Sequence, residues 1–381
     1  MTSKAVNAPF STTPADNMFP DKVAVVGAGS FGSAMTRVIA KAAQEQCANT
    51  SVSWYGRRQS VVDEINTQRT NQQYFPGVFS DSVKATTDIH ECVRDAKVVF
   101  LAVPASFLPP ILDDFKKTGC LFEEAVIVSV LKSLVYDTNE RKMITSVDLI
   151  KKSIPAFVVT VLSGPNLYAE MASDNEFAEA TIGYDENDEF AANIVKMVTS
   201  SKCFQTSLTS DRVGLELCAG LKNVISLAVG YIEGLGLGWN ARSAMIRAGM
   251  HEMARFITDN NMGRRETVFE TSGGAGDLIL TCTAGRGRKL AAAFVQRGLE
   301  NGMPADKASS VARWEELERE LLNGMKLPDW HNAQYVYQAM VEKGTTANFP
   351  VLDAVYKIGF EGHRPQTIVD ALSRSILIAD S

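Results

Sequence analysis

Two hydrophobic rhythms divide the chain. From residue 22 onward, short runs rich in β-branched and aromatic residues alternate with helix-period stretches, the pattern of a parallel sheet covered on both faces. This pattern predicts strands at 22–26, 51–55, 97–103 and 125–131, then at 157–162 and, more weakly, 180–182. Crossover helices are expected over 30–44, 58–68 and 106–115, the third shortened by Pro109 and Pro110. Beyond about Ser207 the strand signal fades, and helical segments separated by glycine-rich turns follow. The fold class is therefore α/β: a Rossmann-like parallel sheet over 21–207, then an all-helical region over 208–381. Residues 1–20 are polar, carry Pro9, Pro14 and Pro20, and read as a flexible tail.

Composition narrows the classes. With 381 residues, 45% of them hydrophobic and 22% charged, the chain can bury a full core. A net charge of −6 supplies no global field for nucleic acid or anionic membrane. Six scattered cysteines and four histidines show no metal-ligand spacing, so free thiols in a reducing compartment and no metal are expected. The tail lacks the apolar core of a secretory signal, and the last three residues match no peroxisomal address. The most apolar stretch, 213–238, is interrupted by Glu216, Lys222 and Glu233, which argues against a membrane span.

The first strand runs into Gly27-Ala28-Gly29-Ser30-Phe31-Gly32 and then a helix rich in alanine. Strand, glycine turn and helix together read as a dinucleotide site: the first glycine for the turn, the second for approach to pyrophosphate, the third for helix–sheet packing. The acidic residue expected about 20 positions later, to bond the adenine ribose, is missing. Trp54, Tyr55, Gly56, Arg57 and Arg58 stand there instead. The two arginines suit stacking on adenine, receipt of a 2′-phosphate, or simple solvation; NAD is expected, with NADP tolerance open.

In the helical half, Lys222 and Asn223 interrupt an apolar segment over 213–231. A buried ammonium needs a carboxylate, an acceptor or a ligand, and Glu216 lies at the wrong helical spacing to provide it. Gly273, Gly274 and Gly276 precede Asp277, Thr281, Arg286, Gly287 and Arg288, a flexible backbone beside acid, hydroxyl and guanidinium groups suited to a small anion. The run Glu315, Glu316, Glu318 and Glu320 is expected on a solvated amphipathic helix, with Trp314 and Trp330 as packing anchors.

These residues together resemble NAD-dependent glycerol-3-phosphate dehydrogenases over nearly the whole chain after the tail. The resemblance runs through the glycine turn, Ile65-Asn66-Thr67-Gln68, Leu131-Lys132, Gly220-Leu221-Lys222-Asn223-Val224, the segment around Asn240 and Arg247, Gly276-Asp277-Leu278, Thr281-Cys282, Glu316-Leu317 and Leu321-Leu322-Asn323-Gly324. It implies interconversion of glycerol 3-phosphate and dihydroxyacetone phosphate, and a cytoplasmic homodimer with its substrate and dimerisation region over 208–381. It also implies catalytic roles for Lys222, Lys132 and Asp277. Substrate would meet Lys132, Lys222, Asn223, Asp277, Thr281, Arg286 and Gly287. NAD would meet the glycine turn from Gly27 through Ala28, Gly29, Ser30 and Phe31 to Gly32, with Arg57, Phe107, Lys132, Pro165, Arg286 and Met325.

Three positions depart from that pattern. Gly287 replaces the usual asparagine, Met325 the usual glutamine, and Ser133-Leu134 the usual glycine and β-branched residue. Arg288 or a backbone amide is a candidate for the missing phosphate contact. Two other functions fit parts of the sequence: an oxidoreductase for a small hydroxy acid, which requires a carboxylate clamp, and a non-catalytic nucleotide-responsive protein, which leaves Lys222 and Asp277 without a purpose.

Overall fold

A computed structural model describes residues 19–75, 77–137, 142–171, 173 and 176–379. Of the tail assigned to 1–20, residues 1–18 lie outside the described residues, as do the last two of the chain. The strands are β1 (Lys22–Val26), β2 (Ser51–Tyr55), β3 (Val83–Thr86), β4 (Val98–Leu101), β5 (Val126–Ser129), β6 (Val135–Asp137), β7 (Lys142–Ile144), β8 (Val158–Ser163), β9 (Ala178–Gly183) and β10 (Phe204–Thr209). Eight of them form one sheet in the order β10-β9-β8-β5-β4-β1-β2-β3, in which β8, β5, β4, β1, β2 and β3 run parallel to one another and β9 and β10 run parallel to each other. Its helices are α1 (Ser30–Glu45), α2 (Gln59–Gln68), α3 (Ile89–Val93), α4 (Leu108–Thr118), α5 (Ser146–Ser153), α6 (Tyr168–Met171) and α7 (Glu189–Thr199).

Central β4 and β5 are buried at every position, as strands roofed on both faces must be. The chain order reverses beside β1, which sits between β4 and β2, so the glycine turn leaves the sheet at a topological switch point, where such sheets bind ligands. Pro109 and Pro110 do not shorten their helix. They occupy the first turn of α4, where the fixed proline φ is already helical and no amide is needed, and α4 runs on to Thr118.

The remaining helices are α8 (Arg212–Gly234), α9 (Trp239–Asp259), α10 (Arg265–Glu270), α11 (Asp277–Ala284), α12 (Arg286–Asn301), α13 (Lys307–Leu321), α14 (Asp329–Glu342), α15 (Pro350–Phe360) and α16 (Thr367–Ala379). Two compact units result. One comprises the described residues within 19–131, 146–162 and 166–212; the other comprises those within 132–145, 163–165 and 213–379. The segment 132–145, with its antiparallel pair β6–β7, joins the helical unit through specific bonds. Asn332 accepts from the Leu134 amide at 3.2 Å and donates to the Gly220 carbonyl at 3.2 Å.

Helix α8 is long and apolar enough to cross a membrane, with mean hydropathy 1.4, yet 94% of that window is buried inside the fold. It is a core helix. Leu221, Val224, Ile225 and Ala228 pack in one cluster with Phe256, Phe294, Trp314 and Val355. The glutamate run is not uniformly solvated: Glu318 is buried, accepting from the Leu327 amide and the Trp330 indole, both at 3.0 Å, and pairing with Lys326. Its carboxylate secures the turn between α13 and α14, which periodicity alone does not reveal. Trp314 and Trp330 are buried anchors.

Candidate active site

The glycine turn is built by close approach. Gly27 has φ +124°, and a Cβ there would overlap the Ala102 carbonyl. A Cβ on Gly32 would overlap the Gly27 carbonyl, so the helix can pack against the turn only with hydrogen at that position. The Trp54 indole donates to the Gly27 carbonyl at 2.9 Å, and Asn71 Nδ2 donates to the Ala28 carbonyl at 3.2 Å, fixing the turn from outside. Gly29 caps α1 without a side-chain bond, and a Cβ on it would meet nothing within 4 Å. The start of α1 therefore offers backbone amides beside open space, which suits a pyrophosphate.

The structure places Arg57 over the Phe107 ring, 4.2 Å from guanidinium carbon to centroid. Both side chains are exposed, so the pair forms a flat, partly cationic surface in the same unit as the glycine turn. The open amides and this flat pair fit the diphosphate and adenine ends of NAD. Gly32→Ala is expected to force α1 from the turn and weaken NADH binding at least about 10-fold, a cost of about 1.4 kcal/mol, within the range for overpacking. Fluorescence titration with NADH checks it, and wild-type affinity in the variant refutes the packing argument.

In the helical unit, buried Lys222 and Asp277 meet half-buried Lys132 in a triad. Asp277 opens α11 after the turn Ser272–Gly276, and its two carboxylate oxygens divide between two ammonium groups. Oδ1 lies 2.5 Å from Lys222 Nζ, and Oδ2 accepts from Lys132 Nζ at 2.9 Å. Lys132 also donates to the Gly164 carbonyl at 2.8 Å, and Lys222 to Thr281 Oγ1 at 2.9 Å. Thr281 in turn donates to Asp277 Oδ1 at 3.4 Å. Asn223 is buried beside this group, its amide donating to the Lys132 and Ala219 carbonyls at 3.4 and 3.3 Å. The partner that Lys222 requires is thus Asp277, 55 residues on, and spacing within α8 gives no hint of it.

Burial pushes Lys222 down to about 8; Asp277 opposes that fall and Lys132 adds to it. Burial alone would raise Asp277, but the two ammonium groups outweigh it and hold the carboxyl below its usual range. Lys222 therefore sits where gaining and losing a proton are both accessible near neutral pH, next to a fixed counter-charge.

The structure separates Arg286 from Arg288. Arg286 is exposed at the start of α12 and donates to Met325 Sδ, while Arg288 is engaged by Glu233, which also lies 3.7 Å from Arg242. Arg288 is committed elsewhere. Gly287 is buried, and Pro165 belongs to the same short segment as Gly164, which receives Lys132. Sequence reasoning passed over Asp329, a buried carboxyl at the start of α14 that lies within electrostatic reach of Lys222 and Arg286.

Comparison with known proteins agrees with this chemistry. Residues 22–191 match the family model for the N-terminus of NAD-dependent glycerol-3-phosphate dehydrogenase, and residues 211–370 match the model for its C-terminus. The chain is 33% identical over 353 residues to the human cytoplasmic NAD(+) glycerol-3-phosphate dehydrogenase, covering 91% of this chain and 95% of that one. It is 32% identical over 377 residues to a probable glycerol-3-phosphate dehydrogenase of Caenorhabditis elegans, covering 95% and 92%. A solved glycerol-3-phosphate dehydrogenase of Plasmodium falciparum superposes with a TM-score of 0.83 at 28% identity, covering 92% of this chain and 95% of that one. The chain belongs to the NAD-dependent glycerol-3-phosphate dehydrogenase family, as an oxidoreductase that interconverts glycerol 3-phosphate and dihydroxyacetone phosphate with NAD as its cofactor.

Proposed function

We propose that Lys222 is the acid–base residue of this reaction, exchanging a proton with the C2 oxygen of the substrate. The observation that carries the reading is the Lys222–Asp277–Lys132 triad, a buried ammonium with a lowered proton affinity held by a carboxylate that a second ammonium shares. When bound, NAD supplies the redox equivalent at C2. The chain's own groups do the rest. In the reductive direction Lys222 gives its Nζ proton to the developing alkoxide, and Lys132 polarises the same oxygen from its place on Asp277. In oxidation Lys222, then neutral, takes the hydroxyl proton. Thr281 and Asn223 hold the lysines and the adjoining backbone in place, so little reorganisation remains for the chemical step.

Arg286, exposed and donating to the Met325 thioether, receives the phosphate as a paired donor. NAD is held by the turn from Gly27 to Gly32 and by Arg57 and Phe107, with Lys132, Pro165, Arg286 and Met325 at its reactive end. A cytoplasmic homodimer is part of this reading; the human relative's description as cytoplasmic supports the location, and the family resemblance supports the dimer.

Arg286→Ala is the test of the substrate assignment. Loss of a charged hydrogen-bonding pair is expected to raise KM for dihydroxyacetone phosphate about 10- to 100-fold while kcat changes much less. Steady-state assays following NADH oxidation read both constants. An unchanged KM removes Arg286 from the phosphate site.

A further inference from the structure

Gly287 is the second residue of α12, directly after Arg286, and it is buried. A Cβ built on it would overlap Asp329 Oδ1 and lie 2.6 Å from the Asp329 carboxyl carbon. The volume that a side chain at 287 would enter is therefore filled by the carboxyl group of Asp329, the first residue of α14. The glycine at 287 and the acid at 329 are one feature of the fold. Asp329 is itself buried, and the charged groups around it come from three other helices: Lys222 of α8, Arg286 of α12 and Glu318 of α13, the last paired with Lys326. Asp277 also contacts Lys222, at 2.5 Å from its Nζ.

That position is chemically awkward for an ionised carboxylate. A phosphate dianion drawn to Arg286 would arrive beside a second negative charge in a poorly solvated place, where like charges repel strongly. A neutral carboxyl group has the opposite effect, because its O–H is a donor directed at an anion that accepts hydrogen bonds.

We propose that Asp329 is part of the phosphate subsite, and that it takes up a proton from solvent as the substrate's phosphate binds, donating that O–H to a phosphate oxygen. No bond of the substrate breaks in this step; one proton moves from bulk water to the carboxylate. The inference rests on the assignment of the phosphate to Arg286. Burial already pushes Asp329 up to about 6, against the pull of Lys222 and Arg286, so protonation at neutral pH needs only the further bias of an arriving anion. The consequence is substrate affinity that weakens as pH rises.

The test is calorimetric titration of NADH-saturated enzyme with glycerol 3-phosphate at pH 7, in buffers of different ionisation enthalpy, which reads the protons taken up. Lys222 and the substrate's own phosphate each account for roughly a tenth of a proton at this pH, with opposite signs. Wild-type enzyme is expected to take up about 0.8 proton, and Asp329→Asn less than about 0.3. Lowering the pH to 5 should remove the wild-type uptake, since Asp329 is then protonated before binding. Equal uptake by the two proteins, or less than about 0.3 proton in the wild type at pH 7, overturns the proposal. The wild-type measurement decides the matter even if the variant does not fold. Wild-type enzyme that oxidises NADH with dihydroxyacetone phosphate but takes up no proton loses this role for Asp329 alone. Enzyme without that turnover loses the assignment of Lys222 and Arg286 instead.

Discussion

Lys222→Ala is expected to lower kcat for the reduction of dihydroxyacetone phosphate by about 10²- to 10⁴-fold, the usual contribution of a positioned general acid. KM should move far less, because the alanine leaves Arg286 in place for the phosphate. The wild-type pH profile should carry the same signature. Lys222 loses its proton through about pH 8. Reductive kcat/KM, which needs the ammonium, should therefore fall above that point, and oxidative kcat/KM, which needs the amine, should rise through it. Lys222→Arg separates proton transfer from simple charge. A guanidinium keeps the positive charge but does not release a proton in this range, so the variant should stay deeply impaired and lose the inflection near pH 8. Substantial activity in Lys222→Arg, or an unshifted inflection in Lys222→Ala, would assign the proton to another group.

The parts of this enzyme that the sequence discloses are those whose physics is local. The glycine turn is legible because strand, turn and helix are contiguous, and Gly32 is required by the Gly27 carbonyl five residues away, although Gly27 is required by Ala102, just beyond the neighbouring strand β4. Lys222 announces itself because an ammonium in an apolar helix is expensive wherever the helix packs. Strands β3 and β10 escape notice because they are short or polar and alternate between buried and exposed positions, unlike the continuous apolar runs of β4 and β5. The non-local partners are the hardest. Asp277 reaches Lys222 from 55 residues away, Asp329 meets Gly287 across two helix starts, and Glu318 is buried by bonds to Leu327 and Trp330 that form only when a turn closes. In each of these cases a charged side chain is placed by tertiary contacts, and a run such as Glu315 to Glu320 gives the same periodic signal whether one of its members is solvated or interior.

Asp277→Asn should be the most damaging single change to stability and should slow the reaction as well. The amide is nearly the same shape, but it leaves two ammonium groups facing a neutral side chain that can accept at one atom only, where Asp277 now serves Lys222 at 2.5 Å and Lys132 at 2.9 Å. Removing one member of a buried ionic cluster costs about 3–5 kcal/mol, because the remaining charges stay desolvated without compensation. Denaturant unfolding near pH 7 should show that loss as a lower midpoint at similar slope. The sign of its pH dependence follows from the shifts. In the wild type the Asp277 carboxyl lies below its usual range, so its stabilisation is complete above about pH 4 and is lost as the pH falls through its native value. The gap between wild type and variant should therefore narrow in acid. It should narrow again as the pH rises toward about 8, through the range between the variant's lower Lys222 value and the wild type's, where only the wild-type lysine still carries the proton that makes it need a partner. Without the carboxylate, Lys222 also becomes a weaker base, so any residual oxidative activity should have its inflection below pH 8, while reductive turnover at pH 7 drops because less of the lysine is protonated. A variant as stable as the wild type across this range, with the inflection unmoved, would mean that Asp277 does not hold the lysines in the state that the reaction uses.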